Sequence, residues 1–144
     1  MRCAFCGYVE TKVTDKRDSK EITRRRRECI KCKRRFTTYE RPDIELIVIK
    51  KDGRRERYNR DKILLGVIKA CEKRNVSHEK IDIVINDIEE KLRKKGKEVE
   101  SKMIGELVMR QLKKLDKVAY IRFASVYRDF KEAKDFKLAI KEVS

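Results

Sequence analysis

Four of the five cysteines fall in two C-x2-C pairs, Cys3/Cys6 and Cys29/Cys32, separated by 22 residues. Each C-x2-C turn sets two thiolates on one side of a tight loop, and two such turns complete a tetrahedral S4 shell for one structural Zn2+ per chain. Iron coordination, a redox dithiol and a pair of disulfides are the alternative readings. A redox C-x2-C comes once and near a βαβ pattern, and none surrounds these pairs. Gly7, directly after Cys6, suits the positive φ that such a knuckle needs. The fifth cysteine, Cys71, lies on an apolar helical stripe and reads as a small buried hydrophobe. The lone His78 falls in a predicted first helical turn, away from every cysteine and facing solvent.

Beside the second pair stands the run Arg24, Arg25, Arg26, Arg27. On a strand, alternation sends Arg24 and Arg26 to one face and Arg25 and Arg27 to the other. One pair is then available for phosphates or base edges, while the other packs its stems or meets a neighbouring strand. The guanidinium fork suits both guanine O6/N7 and phosphate, and Lys12, Lys16, Arg17 and Arg35 extend the patch. A nucleic acid is the expected partner, although these residues do not tell DNA from RNA, and an RNA- or ribosome-binding adaptor would use the same patch.

A second basic constellation lies in VIKKDGRRERYNRDKI (48–63), with Lys50, Lys51, Arg54, Arg55 and Lys62 around an Asp52-Gly53 turn. A hairpin whose lysines converge on a helix start can hold a triphosphate. Neither a P-loop nor a dinucleotide fingerprint is present. With no such element and one remote histidine, a nucleotide hydrolase is not expected.

The charge balance fits these sites. The 144 residues carry a net charge of +16. Residues 1–41 hold 14 Lys and Arg against 6 Asp and Glu, whereas residues 42–144 hold 27 against 19, so positive charge is denser in the first segment. That density marks it as the electrostatic footprint for a polyanion. No apolar run approaches the roughly 20 residues that span a bilayer, and MRCAFCG has no apolar core of a signal peptide. A cytoplasmic chain with reduced thiols and no membrane partner is expected.

The elements that must position these residues divide at the single proline, Pro42. Before it, KEITRRRREC and RRFTTYER alternate as strands, and a 40-residue basic segment without a hydrophobic core needs a metal to fold. After it, IELIVIK (44–50) and RRERY (54–58) form a hairpin. Then the period becomes helical. Asn59 caps a stripe of Ile63, Leu64, Val67, Ile68 and Cys71, and Ser77 caps another of Ile81, Val84, Ile85, Ile88 and Leu92 that stops at Gly96. A third helix opens at Ser101 with Ile104, Leu107, Val108, Leu112 and Leu115. A fourth begins near Asp116 and carries Ala119, Phe123, Val126 and Phe130 on one face. The fold class is α+β: a small zinc ribbon over 1–42, a hairpin with about four helices over 43–132, and a basic C-terminal tail over 133–144.

C-x2-C-G, RRRREC-x2-C, RFTTYE (35–40), KKDGRRE (50–56), ACEKR (70–74), IGELVM (104–109) and LD-x-VAY-x-RFASVYRDF (115–130) together closely resemble the bacterial ribonucleotide-reductase transcriptional repressors. The likeness runs in order over residues 3–131 and rests on several long, rare motifs. It implies a zinc-ribbon DNA-binding domain followed by an ATP-cone that binds ATP and dATP. It further implies a nucleotide-dependent homo-oligomer on double-stranded DNA operators, paired boxes upstream of ribonucleotide reductase genes, in the bacterial cytoplasm at the nucleoid. Matching positions suggest Val48, Lys50, Lys51, Glu56, Lys62, Tyr127 and Arg128 for the nucleotide, and Arg54 of the basic hairpin joins them. Val48 would line the adenine side, the lysines would neutralise phosphates, and Glu56 would accept from a sugar hydroxyl or orient a lysine. Lys12, Arg17, Arg24, Arg25, Arg26, Arg27 and Arg35 would face DNA. Tyr58 and Asn59 stand where many ATP-cone hairpins have Phe and Asp, a mild departure.

Overall fold

A computed structural model describes all 144 residues and resolves the chain into two compact units, Met1–Asp43 and Ile44–Ser144. The first is a three-stranded antiparallel sheet in the order β1 (Thr11–Ser19), β2 (Ile22–Cys29), β3 (Arg35–Glu40). Its only buried side chains are Cys3 and Cys29, so hydrophobic burial alone cannot hold it together. Two reverse turns build the knuckles. Gly7 at φ 76° donates its amide to Cys3 O, and Lys33 at φ 64° donates to Cys29 O. Strand β1 was not apparent from the sequence, because from Lys12 onward every one of its residues is exposed and no apolar alternation marks it.

The second unit pairs β4 (Ile47–Ile49) with β5 (Arg55–Arg57) antiparallel across the Asp52-Gly53 turn, where Gly53 takes φ 87°. A third strand, β6 (Glu98–Glu100), joins β4 in parallel. Between them the chain runs through α1 (Arg60–Ala70) and α2 (His78–Lys95), the helical crossover that a parallel pair requires. After β6 come α3 (Ser101–Leu115), α4 (Lys117–Tyr127) and α5 (Ala133–Val143).

The caps form where the sequence places them. Asn59 accepts from Asp61 N, Ser77 from Lys80 N, and Gly96 ends α2 at φ 119°. The core gathers Val67 of α1, the α2 stripe of Ile81, Val84, Ile85, Ile88 and Leu92, and Ile104, Leu107, Val108 and Leu112 of α3. Cys71 is buried among them, and His78 is exposed. No helix is long and apolar enough to cross a membrane.

Two expectations need correction. On α4, Ala119 is buried and Phe123 packs against the core as expected, joined by Tyr120 and Ala124, but Val126 is 83% exposed, and Phe130, though it packs on the core, lies beyond the helix end. Residues 133–144 are not a tail: α5 packs back through buried Ala139, a Phe130–Phe136 edge contact and Glu142. The lysines that made this segment read as a tail decorate its outer side.

Candidate functional site

The four paired cysteines converge. Their sulfurs all lie within 4.8 Å of one another, with Cys3 and Cys32 at 3.7 Å and Cys6 and Cys29 at 3.6 Å. A tetrahedron with metal–sulfur bonds near 2.3 Å has sulfur edges of about 3.8 Å, so the residues present fit a zinc ion. Backbone amides aim at the sulfurs: Phe5 N and Cys6 N donate to Cys3 Sγ, and Cys32 N donates to Cys29 Sγ. The Cys6 amide above all brings the Cys3 thiol down to about 6. Arg34's amide favours ionised Cys32, but burial and the neighbouring thiols outweigh it and push Cys32 up to about 11. A fourth thiolate beside three others needs a cation at the centre, which is what Zn2+ supplies.

Strand β2 leaves this shell carrying the four arginines. Ladder partners share a face, so Arg17, Arg24 and Tyr39 form one row, Asp15, Arg26 and Thr37 the next, and Lys12, Glu28 and Arg35 a third. The opposite face holds Lys16, Arg25 and Thr38, then Val13, Arg27 and Phe36, and Phe36 meets Phe5 of the first knuckle edge-on. The alternation expected of the arginines is therefore present, shifted in β1 by a bulge at Thr14.

Most of the basic candidates are already engaged. Arg25 Nε donates to Glu40, Arg26 to Thr37 Oγ1 and Arg27 to Thr38 Oγ1. Glu28 takes both Arg35, at 3.0 Å, and Lys12, at 3.7 Å, and Arg35 chiefly holds its carboxyl below the usual range. Arg17 rests on Asp15. Arg24 alone among the seven has no ion pair or side-chain hydrogen bond. Beside it on the same face Tyr39 is half exposed under the guanidinium of Arg41. Tyr39 and Arg41 were not among the candidates, although TTYER sets an aromatic beside an arginine.

In the second unit, Val48, Lys50, Lys51, Arg54, Glu56, Lys62 and Tyr127 line one cleft of about 510 Å³. It is walled by the β4–β5 hairpin and by the starts of α1, at Asn59, and α3, at Ser101. Helix starts offer amide N–H groups and a partial positive charge to an anion, and the α3 start has no side-chain cap. Glu56 sits at the centre of the basic group, 3.1 Å from Lys62 and 3.7 Å from Lys50, and the Lys62 hydrogen bond chiefly lowers its pKa. Lys51 carries no partner.

The far wall depends on a glycine. A Cβ on Gly105 would come within 2.2 Å of the Tyr127 ring, whose hydroxyl donates to Lys102 O. Gly105, Ser101, Asn59 and Ile63 are cleft residues that hairpin-centred reading missed, because only the packing of α1 and α3 on the hairpin brings them there. Arg128 is not a cleft residue. It follows α4 and binds the Glu142 carboxylate at 3.0 and 3.1 Å, outside the cleft.

Comparisons with known proteins divide the chain at the same place. Residues 1–40 match the family described as transcriptional repressor NrdR-like, N-terminal domain, and residues 46–133 match the ATP cone domain. Among full-length relatives, the transcriptional repressor NrdR of Thermotoga neapolitana is 58% identical, the match covering 99% of this chain and 94% of that one. Those of Pelotomaculum thermopropionicum and Polaromonas sp. are 54% and 55% identical over 99% of this chain, and 89% and 99% of theirs.

Proposed function

The chain belongs to the NrdR family of transcriptional repressors, regulators rather than enzymes, and from that premise we propose that it represses ribonucleotide reductase genes through a nucleotide-gated grip on DNA. Its zinc ribbon binds paired operator boxes in double-stranded DNA, in the bacterial cytoplasm. Its ATP-cone reads ATP and dATP in the cleft between the hairpin and the starts of α1 and α3. The observation that carries this reading is the convergence of Lys50, Lys51 and Lys62 on those helix starts, in a chain whose other unit gathers four thiols for zinc.

In this reading Lys50, Lys51 and Lys62 meet the phosphates, and Val48 lies against the base. Lys50 and Lys62 exchange Glu56 for phosphate as the ligand enters, which frees Glu56 to accept from a sugar hydroxyl. Arg54 and Tyr127 close the sides. On the ribbon, Arg24 makes the most direct contact with DNA, and Arg17, Arg25, Arg26, Arg27, Arg35 and Lys12 set the field around it. Arg128 serves the α5 contact instead.

A ribbon of about 40 residues offers few contacts, so joining ribbons multiplies affinity only when their spacing matches the operator. Nucleotides control that spacing by binding one assembly more tightly than another. The test titrates ATP and dATP into the zinc-loaded chain with operator DNA while the assembly mass is followed. The expected outcome is a change of mass and a rise in operator affinity with dATP but not with ATP alone. Mass and affinity indifferent to both nucleotides would overturn the proposal.

A further inference from the structure

Glu89 is the one buried charged residue of the chain, 5% exposed on the inner side of α2 next to the Ile85, Ile88 and Leu92 stripe. A carboxylate there must be fully partnered to be tolerated. Its partners are Tyr58, whose hydroxyl donates to Oε2 at 2.7 Å, and Arg60, whose guanidinium donates to Oε1. Arg60 also stands 3.9 Å from Asp82, about two turns before Glu89 on α2. Tyr58 and Arg60 flank Asn59, the residue that ends the hairpin and caps α1. Both bonds therefore pin a single turn, Arg57–Lys62, and four residues of that turn (Arg57, Tyr58, Asn59 and Lys62) line the cleft.

No residue of α2, Glu89 included, lines the cleft itself. An apolar residue at position 89 would continue the core stripe without a buried charge. The carboxylate instead grips the turn from behind at two points, on either side of the α1 cap. We propose that Glu89 is the positioning residue of the nucleotide cleft: through Tyr58 and Arg60 it fixes the hairpin-to-α1 turn so that Lys62 and the α1 start meet the phosphates in register. The inference rests on the cleft being a nucleotide site. Ligand groups held by packed, hydrogen-bonded supports lose affinity when those supports slacken.

The test uses the full-length zinc-loaded chain, with ATP and dATP as probes in calorimetric titrations and amide hydrogen exchange followed in parallel. Glu89→Gln keeps the size of the side chain and removes its charge, and Tyr58→Phe removes one bond while leaving Glu89 paired with Arg60. Both variants are assayed below their melting temperatures. Glu89→Gln is expected to weaken both nucleotides about tenfold and to speed exchange in residues 57–62. Tyr58→Phe is expected to do less of the same, and the double variant to be no weaker than Glu89→Gln. A residue that only stabilises the fold would lower the melting temperature and leave affinity and local exchange as in the wild type, which would overturn the assignment. Failure of the wild type to bind either nucleotide would overturn the cleft reading itself and the assignment with it. Faster exchange in residues 57–62 without loss of affinity would overturn only the positioning role.

Discussion

Along β2, Arg25, Arg26 and Arg27 each commit a donor to a neighbour in the sheet, to Glu40, Thr37 and Thr38, whereas Arg24 faces the half-exposed Tyr39 with no partner of its own. A guanidinium already bound to a carboxylate must break that bond, or share it, before gripping phosphate. A free one need not. Arg24→Ala is accordingly expected to cost more DNA affinity than Arg25→Ala, and to reduce the slope of log affinity against log salt by about one. Anisotropy titrations at several salt concentrations measure both quantities. Equal losses in the two variants would show that intramolecular pairing does not rank these residues. Glu40→Gln offers the converse check, since freeing Arg25 should raise its share of the salt slope.

At the scale of elements, the far wall of the cleft is a contact between α3 and α4 that allows no Cβ at position 105. Gly105→Ala must drive the Tyr127 ring off α3 and break its bond to Lys102 O, an overpacking change expected to cost about 1–3 kcal/mol of unfolding free energy. In a Tyr127→Ala background the same substitution should cost almost nothing, and denaturant melts of the four proteins decide the point. The attachment of α5 is electrostatic as well as apolar. Glu142 accepts from Tyr120 and Arg128, and the Tyr120 hydroxyl is the chief reason its carboxyl lies below the ordinary value of 4.5. A carboxyl depressed in the folded state stabilises above its unfolded pKa and loses that contribution as pH falls through the lower folded value. Protection of α5 amides, measured relative to their intrinsic exchange at each pH, should thus fall as pH drops below about 4.5 in the wild type. In Glu142→Gln it should be low already at neutral pH.

These elements also show what the sequence discloses and what it withholds. Local rules placed Asn59, Ser77, Gly53 and Gly96, because a cap or a turn is decided by a few adjacent residues. The apolar stripes of α1, α2 and α3 were legible because their period is imposed by one continuous core. Strand β1 is too exposed to carry a pattern, and β6 spans three residues with only Val99 buried, so pairing with β4 rather than propensity makes it a strand. The α4 face departs from expectation at Val126, because small Ala124 does the close packing there while the larger Val126 faces out. Within the cleft, the lysines and Glu56 share one short stretch of chain. Gly105 and Tyr127 meet across 22 positions, and no local signal announces that contact.

For the molecule as a whole, the two units fold for different reasons, and that difference can be tested. Residues 1–43 bury only two thiols, whereas residues 44–144 carry the entire apolar core. Free energy of zinc binding in such a segment is folding free energy, and zinc leaves when its thiolates are outcompeted. Stripping the metal with a strong chelator is expected to unfold the first unit, abolish DNA binding and expose four thiols to a colorimetric reagent. The second unit should keep its cooperative melt and its ATP and dATP affinity. Lys62→Ala should have the opposite effect: loss of nucleotide affinity with one zinc retained per chain. If chelation instead collapses nucleotide binding too, the cone depends on the ribbon for its fold. Nucleotide control would then work through that dependence rather than through the spacing of independently stable ribbons. Adding zinc back to the chelated chain separates the outcomes further, because a ribbon that folds on its metal recovers DNA binding at a zinc-to-chain ratio of one without any nucleotide-dependent lag.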